Sequence, residues 1–173
     1  MPKAGAFKPK IEGYFAVSRV PWPLALILLL VQTGSEELLF RGYLMQALAA
    51  RFRSGWIWFV IPSLLFGAAH FNPEIDPRLN YAFLFAVTLF GFLAADLTRV
   101  TGNLGAAMGF HFANNFFALF LVSIEGEMSG LSLYHAAFTM EDVDTILPLV
   151  AIDVVTVLGV WWWLRRWLDP NRV

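Results

Sequence analysis

Three polar pairs interrupt an otherwise apolar chain and carry the groups able to do chemistry. Glu37 and Arg41 stand four apart with Glu36 just before them, Phe66 and His70 stand four apart, and so do His111 and Asn115. On a helix, residues at this spacing project from one face. Glu37 and Arg41 then form an ion pair in the favourable acid-first order. Glu36, rotated by about 100° from Glu37, keeps its carboxylate for other work. A carboxylate, two imidazoles and an amide from three helices, brought together at low dielectric, make a hydrolytic set. A desolvated carboxylate is a better base than one in water and can take a proton from a water held with His70. His111 and Asn115 offer N–H groups to the oxyanion of a tetrahedral intermediate. Each pair also has a plainer reading when taken alone: an interfacial ion pair, a satisfied helix-end histidine, and hydrogen-bond glue between helices. Leu38, Leu39, Phe40, Tyr43, Leu44 and Met45 crowd the first pair and leave it little polar face.

Such a set needs elements that exclude water, and the composition supplies them. Of 173 residues, 58% are hydrophobic and only 14% charged, with a mean hydropathy of +0.63. Soluble domains are about a quarter charged. The net charge of −1 offers neither the repulsion of a disordered chain nor the basic footprint of a nucleic-acid binder. The lack of cysteine excludes disulfides, thiolate metal sites and a cysteine nucleophile. Apolar runs at 56–71, 79–97, 104–124 and 143–164 approach the roughly 20 residues that cross a bilayer. Before them, 20–50 is apolar at both ends and polar at Gln32-Thr33-Gly34-Ser35-Glu36-Glu37. Gly34 as a poor helix former and Ser35 as an N-cap predict a break there, with a second helix from Glu36 to Arg51. The expected class is all-α, a polytopic membrane bundle of about five to six helices with a catalytic cavity inside. Residues 1–19 form a basic N-terminal segment and 20–173 a single membrane-embedded catalytic domain. Gly67, Ala68 and Ala69, and again Gly105 and Gly109, predict close helix approach.

Basic residues assign sides, because they gather in cytoplasmic loops. Arg51 and Arg53, Arg99, and Arg165, Arg166 and Arg172 alternate with acidic connections at 72–77 and 125–144. The Arg51, Arg99 and C-terminal ends are therefore expected in the cytoplasm. A cytoplasmic 1–19 then requires 20–50 to enter and return, which agrees with a break at Gly34. The N-terminus has the pattern of a signal peptide cut near Thr33-Gly34-Ser35, a reading rejected because the cut would strand Glu36 and Glu37 at a new terminus. His135 belongs to a wet acidic loop. Asp96 and Asp153 suggest an aspartyl dyad, though without the Tyr-Asp and Gly-x-Gly-Asp contexts of presenilin-like proteases. Failing that, Asp96 is interfacial and Asp153 a supporting hydrogen-bonding group. Intramembrane charges also mark ion pathways, while haem between His70 and His111 leaves the glutamates and Asn115 without a role.

Glu36-Glu37-x-x-x-Arg41, Phe66-x-x-x-His70 and His111-x-x-x-Asn115 occur in this order without substitution. They resemble the three motifs of the CAAX-protease and bacteriocin-processing (CPBP, or Abi) family, which includes the type II CAAX prenyl proteases. The resemblance runs from about Ser35 to the end of the chain. It implies an intramembrane endopeptidase in which Glu36 and His70 activate water and His111 and Asn115 hold the oxyanion. Glu37, Arg41 and Phe66 have supporting roles. Many members are classed as metalloproteases, whereas the structures of relatives favour a glutamate-activated water. The expectation is therefore that no cofactor is required. Zinc or another divalent metal at Glu36, His70 and His111 is the alternative, although the chain has no His-Glu-x-x-His helix. The implied partners are a membrane-associated peptide or protein substrate and the lipid bilayer, with no nucleic acid. The implied location is a bacterial-type cytoplasmic (inner) membrane, multi-pass, with the C-terminus cytoplasmic. Larger members carry helices ahead of the glutamate motif where this chain has only 20–33, so it is either a minimal core or a shortened member. A non-hydrolytic membrane binding or immunity protein on the same fold is the alternative function.

Overall fold

The computed structural model describes residues 21–123 and 138–169, together with two-residue strands at Lys8–Pro9 and Tyr134–His135. The expected positions of the rest of 1–19 and of the His135 side chain lie outside the described residues. Five helices form a bundle: α1 (Trp22–Arg51), α2 (Trp56–Ala68), α3 (Pro77–Thr101), α4 (Gly105–Phe116, continued in wider turns over Phe117–Leu121) and α5 (Val143–Leu168). Helices α1, α3 and α5 are long and apolar enough to cross a membrane. Helices α2 and α4 fall short of the expected spans 56–71 and 104–124. The end of α2 tightens into three-residue turns, with His70 N–H on Gly67 O at 2.9 Å and Phe71 N–H on Ala68 O at 3.2 Å. Val122–Ser123 pairs with Tyr134–His135, which also pairs with Lys8–Pro9. These short pairings leave the all-α class unchanged.

The expected break at Gly34-Ser35 does not occur, and α1 runs through it as one helix of 30 residues. Ser35 caps nothing, since its hydroxyl donates back to Gln32 O at 2.8 Å. Glycine serves close approach here instead. A Cβ on Gly34 would lie 3.2 Å from Met108 Cε of α4. The irregularity comes a turn later, where the backbone over Leu38–Leu44 widens to five-residue returns and Met45 N–H bonds to Phe40 O. Wide turns of this kind gather at functional sites. With α1 continuous, a break at Gly34 no longer supports the expected cytoplasmic position of 1–19, which lies outside the described residues.

Helix α3 is the hub, packed by α2, α4 and α5, while α1 covers α4. Leu79 meets Val143 and Ile146 near the starts of α3 and α5, and Asp96 meets Trp161 and Arg165 near their ends. These two helices therefore run in the same direction. α1 runs against α4, with Ala25 and Leu29 on Phe120 and Gly42 beside Leu104. α2 runs against α3, with Phe59 on Phe92 and Gly67 on Thr88. The ends carrying Arg51, Arg99 and Arg165 thus coincide, as their alternation in sequence required. At the opposite end Asp76 caps α3, accepting from Arg78 N–H at 2.8 Å. That backbone bond, first among several contributions, holds the Asp76 carboxyl below its ordinary range. Its contribution to stability is complete at neutral pH and is lost as pH falls through the lowered pKa.

Helices α2 and α3 approach closely at two glycines. A Cβ on Gly67 would fall 1.9 Å from Thr88 Oγ1 and 3.2 Å from Thr88 Cα, and one on Gly91 would fall 3.2 Å from Ser63 Cα. The approach expected at Gly67 is thus present. The one expected at Gly109 is not, because nothing among the described residues lies within 4 Å of its added Cβ. Gly67→Ala should destabilise the bundle by about 1–3 kcal/mol through overpacking, seen as a lower unfolding temperature in detergent micelles. Gly109→Ala is the control and should change it little.

Candidate active site

The wide turns of α1 begin just after Glu37 and aim its side chain and that of Arg41 into the bundle. Glu37 is 0% exposed and Arg41 1%. Arg41 Nη1 donates to Glu37 Oε1 at 2.9 Å, and Nη2 donates to the Gly91 carbonyl of α3 at 3.0 Å. The guanidinium carbon lies 4.5 Å from the centre of the Phe66 ring of α2, so the aromatic face adds cation–π attraction. A buried ion pair tolerates its desolvation only when the remaining polar groups are satisfied. Arg41 ties three helices together, while Glu37 Oε2 is buried with no hydrogen-bond partner among the described residues.

Glu37 Oε1 also accepts from His111 Nδ1 of α4 at 2.8 Å. A carboxylate paired with arginine acts as an acceptor, so the network assigns a proton to Nδ1. The other ring nitrogen, Nε2, then faces Glu36 Oε2 at 3.7 Å and Asn115 Nδ2 at 3.4 Å. The His111 ring packs between Phe66 and Phe90, at centroid distances of 5.7 and 5.1 Å. Glu36 Oε2 is buried and has no hydrogen-bond partner among the described residues. Its other oxygen accepts from Gln32 Nε2, and Gln32 Oε1 accepts from Asn115 Nδ2 at 3.5 Å.

His70 lies in the turn that closes α2 and is solvent-accessible. Its Nδ1 donates to Phe66 O at 2.8 Å, which leaves Nε2 as the acceptor. The Phe66 ring, 4.9 Å from the His70 ring, touches both histidines. His70, His111, Asn114, Asn115 and Asp153 line one cavity of about 750 Å³, walled otherwise by apolar side chains such as Val87, Leu149 and Val154. Glu36 does not line it, and no hydrogen bond joins Glu36 to His70 among the described residues.

Sequence reasoning missed Gln32 and the Gly91 carbonyl. It left Asp96 open, and the geometry gives that residue a tie between α3 and α5. Its Oδ1 accepts from Arg99 at 2.7 Å, and its Oδ2 from Arg165 at 2.7 Å and Trp161 at 3.2 Å. No hydrogen bond joins Asp96 to Asp153 among the described residues, and its carboxylate faces basic and indole donors instead. The alternative metal set of Glu36, His70 and His111 does not fit an ion as arranged. Among the described residues no three His, Asp or Glu side chains converge as ligands.

Residues 18–117, which contain all seven sequence-predicted site residues, match the family described as Rce1-like (type II CAAX prenyl endopeptidase Rce1-like). The chain is also similar to an uncharacterized protein, YyaK, of Bacillus subtilis (strain 168), with 37% identity over 119 residues. That match covers 67% of this chain but only 40% of the relative's length. No solved structure matches the chain.

Proposed function

We propose that this chain, which belongs to the Rce1-like family of type II CAAX prenyl endopeptidases, hydrolyses a peptide bond of a membrane-associated protein or peptide within the bilayer. It is an integral membrane protein with three helices long and apolar enough to span. The observation that carries the proposal is a polar cluster at the wall of an apolar cavity. His70, His111 and Asn115 face that cavity, and Glu36 Oε2, buried and unpartnered, stands 3.7 Å from His111 Nε2.

In this reading a water held by Glu36 and His70 Nε2 attacks the peptide carbonyl carbon. As its oxygen bonds to carbon, a water proton passes to Glu36 and the carbonyl electron pair moves onto oxygen. That oxyanion is held by the Asn115 amide N–H and by His111. Because the Nδ1 proton is given to Glu37, His111 donates from Nε2 only when doubly protonated. Glu37, which accepts the Nδ1–H hydrogen bond, faces that charge. When the intermediate collapses the C–N bond breaks, and Glu36 returns its proton to the leaving amine. The apolar walls suit a substrate that arrives from the bilayer, without involvement of nucleic acid. The shared Arg51, Arg99 and Arg165 end faces the cytoplasm by the positive-inside rule, which puts the C-terminus there, in a cytoplasmic membrane of bacterial type.

No step passes through a metal, and no cofactor is required. Purified protein assayed in lipid vesicles on an internally quenched prenylated peptide should keep its activity after exhaustive chelation and lose it in His111→Ala. Activity abolished by chelation and restored by zinc would instead support the metal-dependent reading. A non-hydrolytic binding protein would cleave nothing and would keep its cellular phenotype in His111→Ala.

A further inference from the structure

We infer that Gln32, one helical turn before Glu36, is a positioning residue that sets the direction of a hydrogen-bond chain from the base to the oxyanion donor. The inference rests on the proteolytic reading of the site and adds to it a group outside the three motifs. Gln32 Nε2 donates to Glu36 Oε1, and Gln32 Oε1 accepts from Asn115 Nδ2 at 3.5 Å. The side chain therefore bridges α1 to α4 between the two functional residues.

The polarity of this chain follows from valence. An ionised carboxylate can only accept, so it must face the NH₂ end of the Gln32 amide. That turns the Gln32 oxygen toward Asn115, and an oxygen there demands the NH₂ end of the Asn115 amide. Glu36 thus determines, through Gln32, that Asn115 presents N–H groups rather than its oxygen on this side. One of these N–H groups goes to Gln32, and the same nitrogen lies 3.4 Å from His111 Nε2. An amide turned the other way would place an oxygen lone pair where an oxyanion has to be held. The contact with Gln32 also occupies Glu36 Oε1 and leaves Oε2 as the free oxygen. A glutamine on a membrane helix has strong reason to use both ends of its amide, since unpaired polar groups are costly in hydrocarbon.

The test compares Gln32→Met, which keeps the shape without the amide, with Gln32→Glu, which keeps an acceptor for Asn115 but sets a carboxylate against Glu36. Gln32 is exposed, so neither change opens a cavity. On an internally quenched prenylated peptide, kcat should fall roughly tenfold in Gln32→Met and up to about a hundredfold in Gln32→Glu, scaled to small misplacements of catalytic groups. KM should stay within about twofold, because the binding walls are untouched. The second readout needs no substrate: the side-chain amide NMR signals of Asn115 in labelled protein should shift in Gln32→Met. Unmoved Asn115 signals, or an unchanged kcat, would overturn the inference. Should wild-type protein fail to cleave any peptide, the proteolytic reading falls, while the Asn115 signals still decide whether Gln32 orients that amide.

Discussion

Arg41→Leu should cost the folded protein about 3–5 kcal/mol, the range seen when one partner of a buried ion pair is removed. The substitution would leave Glu37, 0% exposed, with His111 Nδ1 as its one side-chain donor among the described residues. It would also strip the Gly91 carbonyl of its guanidinium contact and Phe66 of the overlying cation. The loss would be felt at the junction of α1, α2 and α3. Unfolding in mixed micelles should show a large fall in stability for Arg41→Leu and a smaller one for Arg99→Leu, whose side chain is 46% exposed. The double variant Glu37→Gln/Arg41→Leu should recover part of the loss, because it no longer buries an unpaired charge. Equal stability of Arg41→Leu and wild type would show that the pair is not what joins the helices.

Glu36→Gln should lower the rate of peptide hydrolysis by about 10²–10⁴-fold, the usual contribution of a positioned general base. The change keeps the length and shape of the side chain but removes its charge, and with it the capacity to take a proton and the fixed acceptor for Gln32. Folding should be nearly unaffected, since Glu36 lies outside the Glu37–Arg41 pair and is linked to its neighbours chiefly through Gln32. The loss should appear in kcat, with KM little changed, because the residue does not line the apolar cavity. Assay and unfolding measurements on the same preparation separate this outcome from the one expected for Arg41→Leu.

The chain's own spacing made the chemical set legible. Glu37 with Arg41, Phe66 with His70 and His111 with Asn115 are each one helical turn apart, and one turn is a distance that sequence can state. The helical class was equally plain, because so few charges leave every long apolar run to the bilayer. What escaped was the role of glycine. The weak intrinsic propensity of Gly34 predicts a break, but the close approach of Met108 overrides that preference. The error had a consequence: with a break at Gly34, Gln32 and Glu36 do not share a face, and the spacing Gln32-x-x-x-Glu36 went unused. Gly109 shows the opposite failure, since a small residue at the right interval meets no neighbour within 4 Å of an added Cβ among the described residues. Which small residues meet a neighbour depends on how helices lie in space. The same holds for the Gly91 carbonyl, which no side-chain pattern encodes.

The central claim is that Glu36 drives hydrolysis of a membrane-borne peptide bond, and membrane proteomics of cells producing either wild-type protein or Glu36→Gln tests it most directly. Both proteins are expected at equal abundance in the membrane. Wild-type cells should contain one or more membrane-associated proteins with a new terminus that is absent from Glu36→Gln cells, where the uncut precursor accumulates. Identical termini in the two strains, or the same cleavage carried out by Glu36→Gln, would contradict the account.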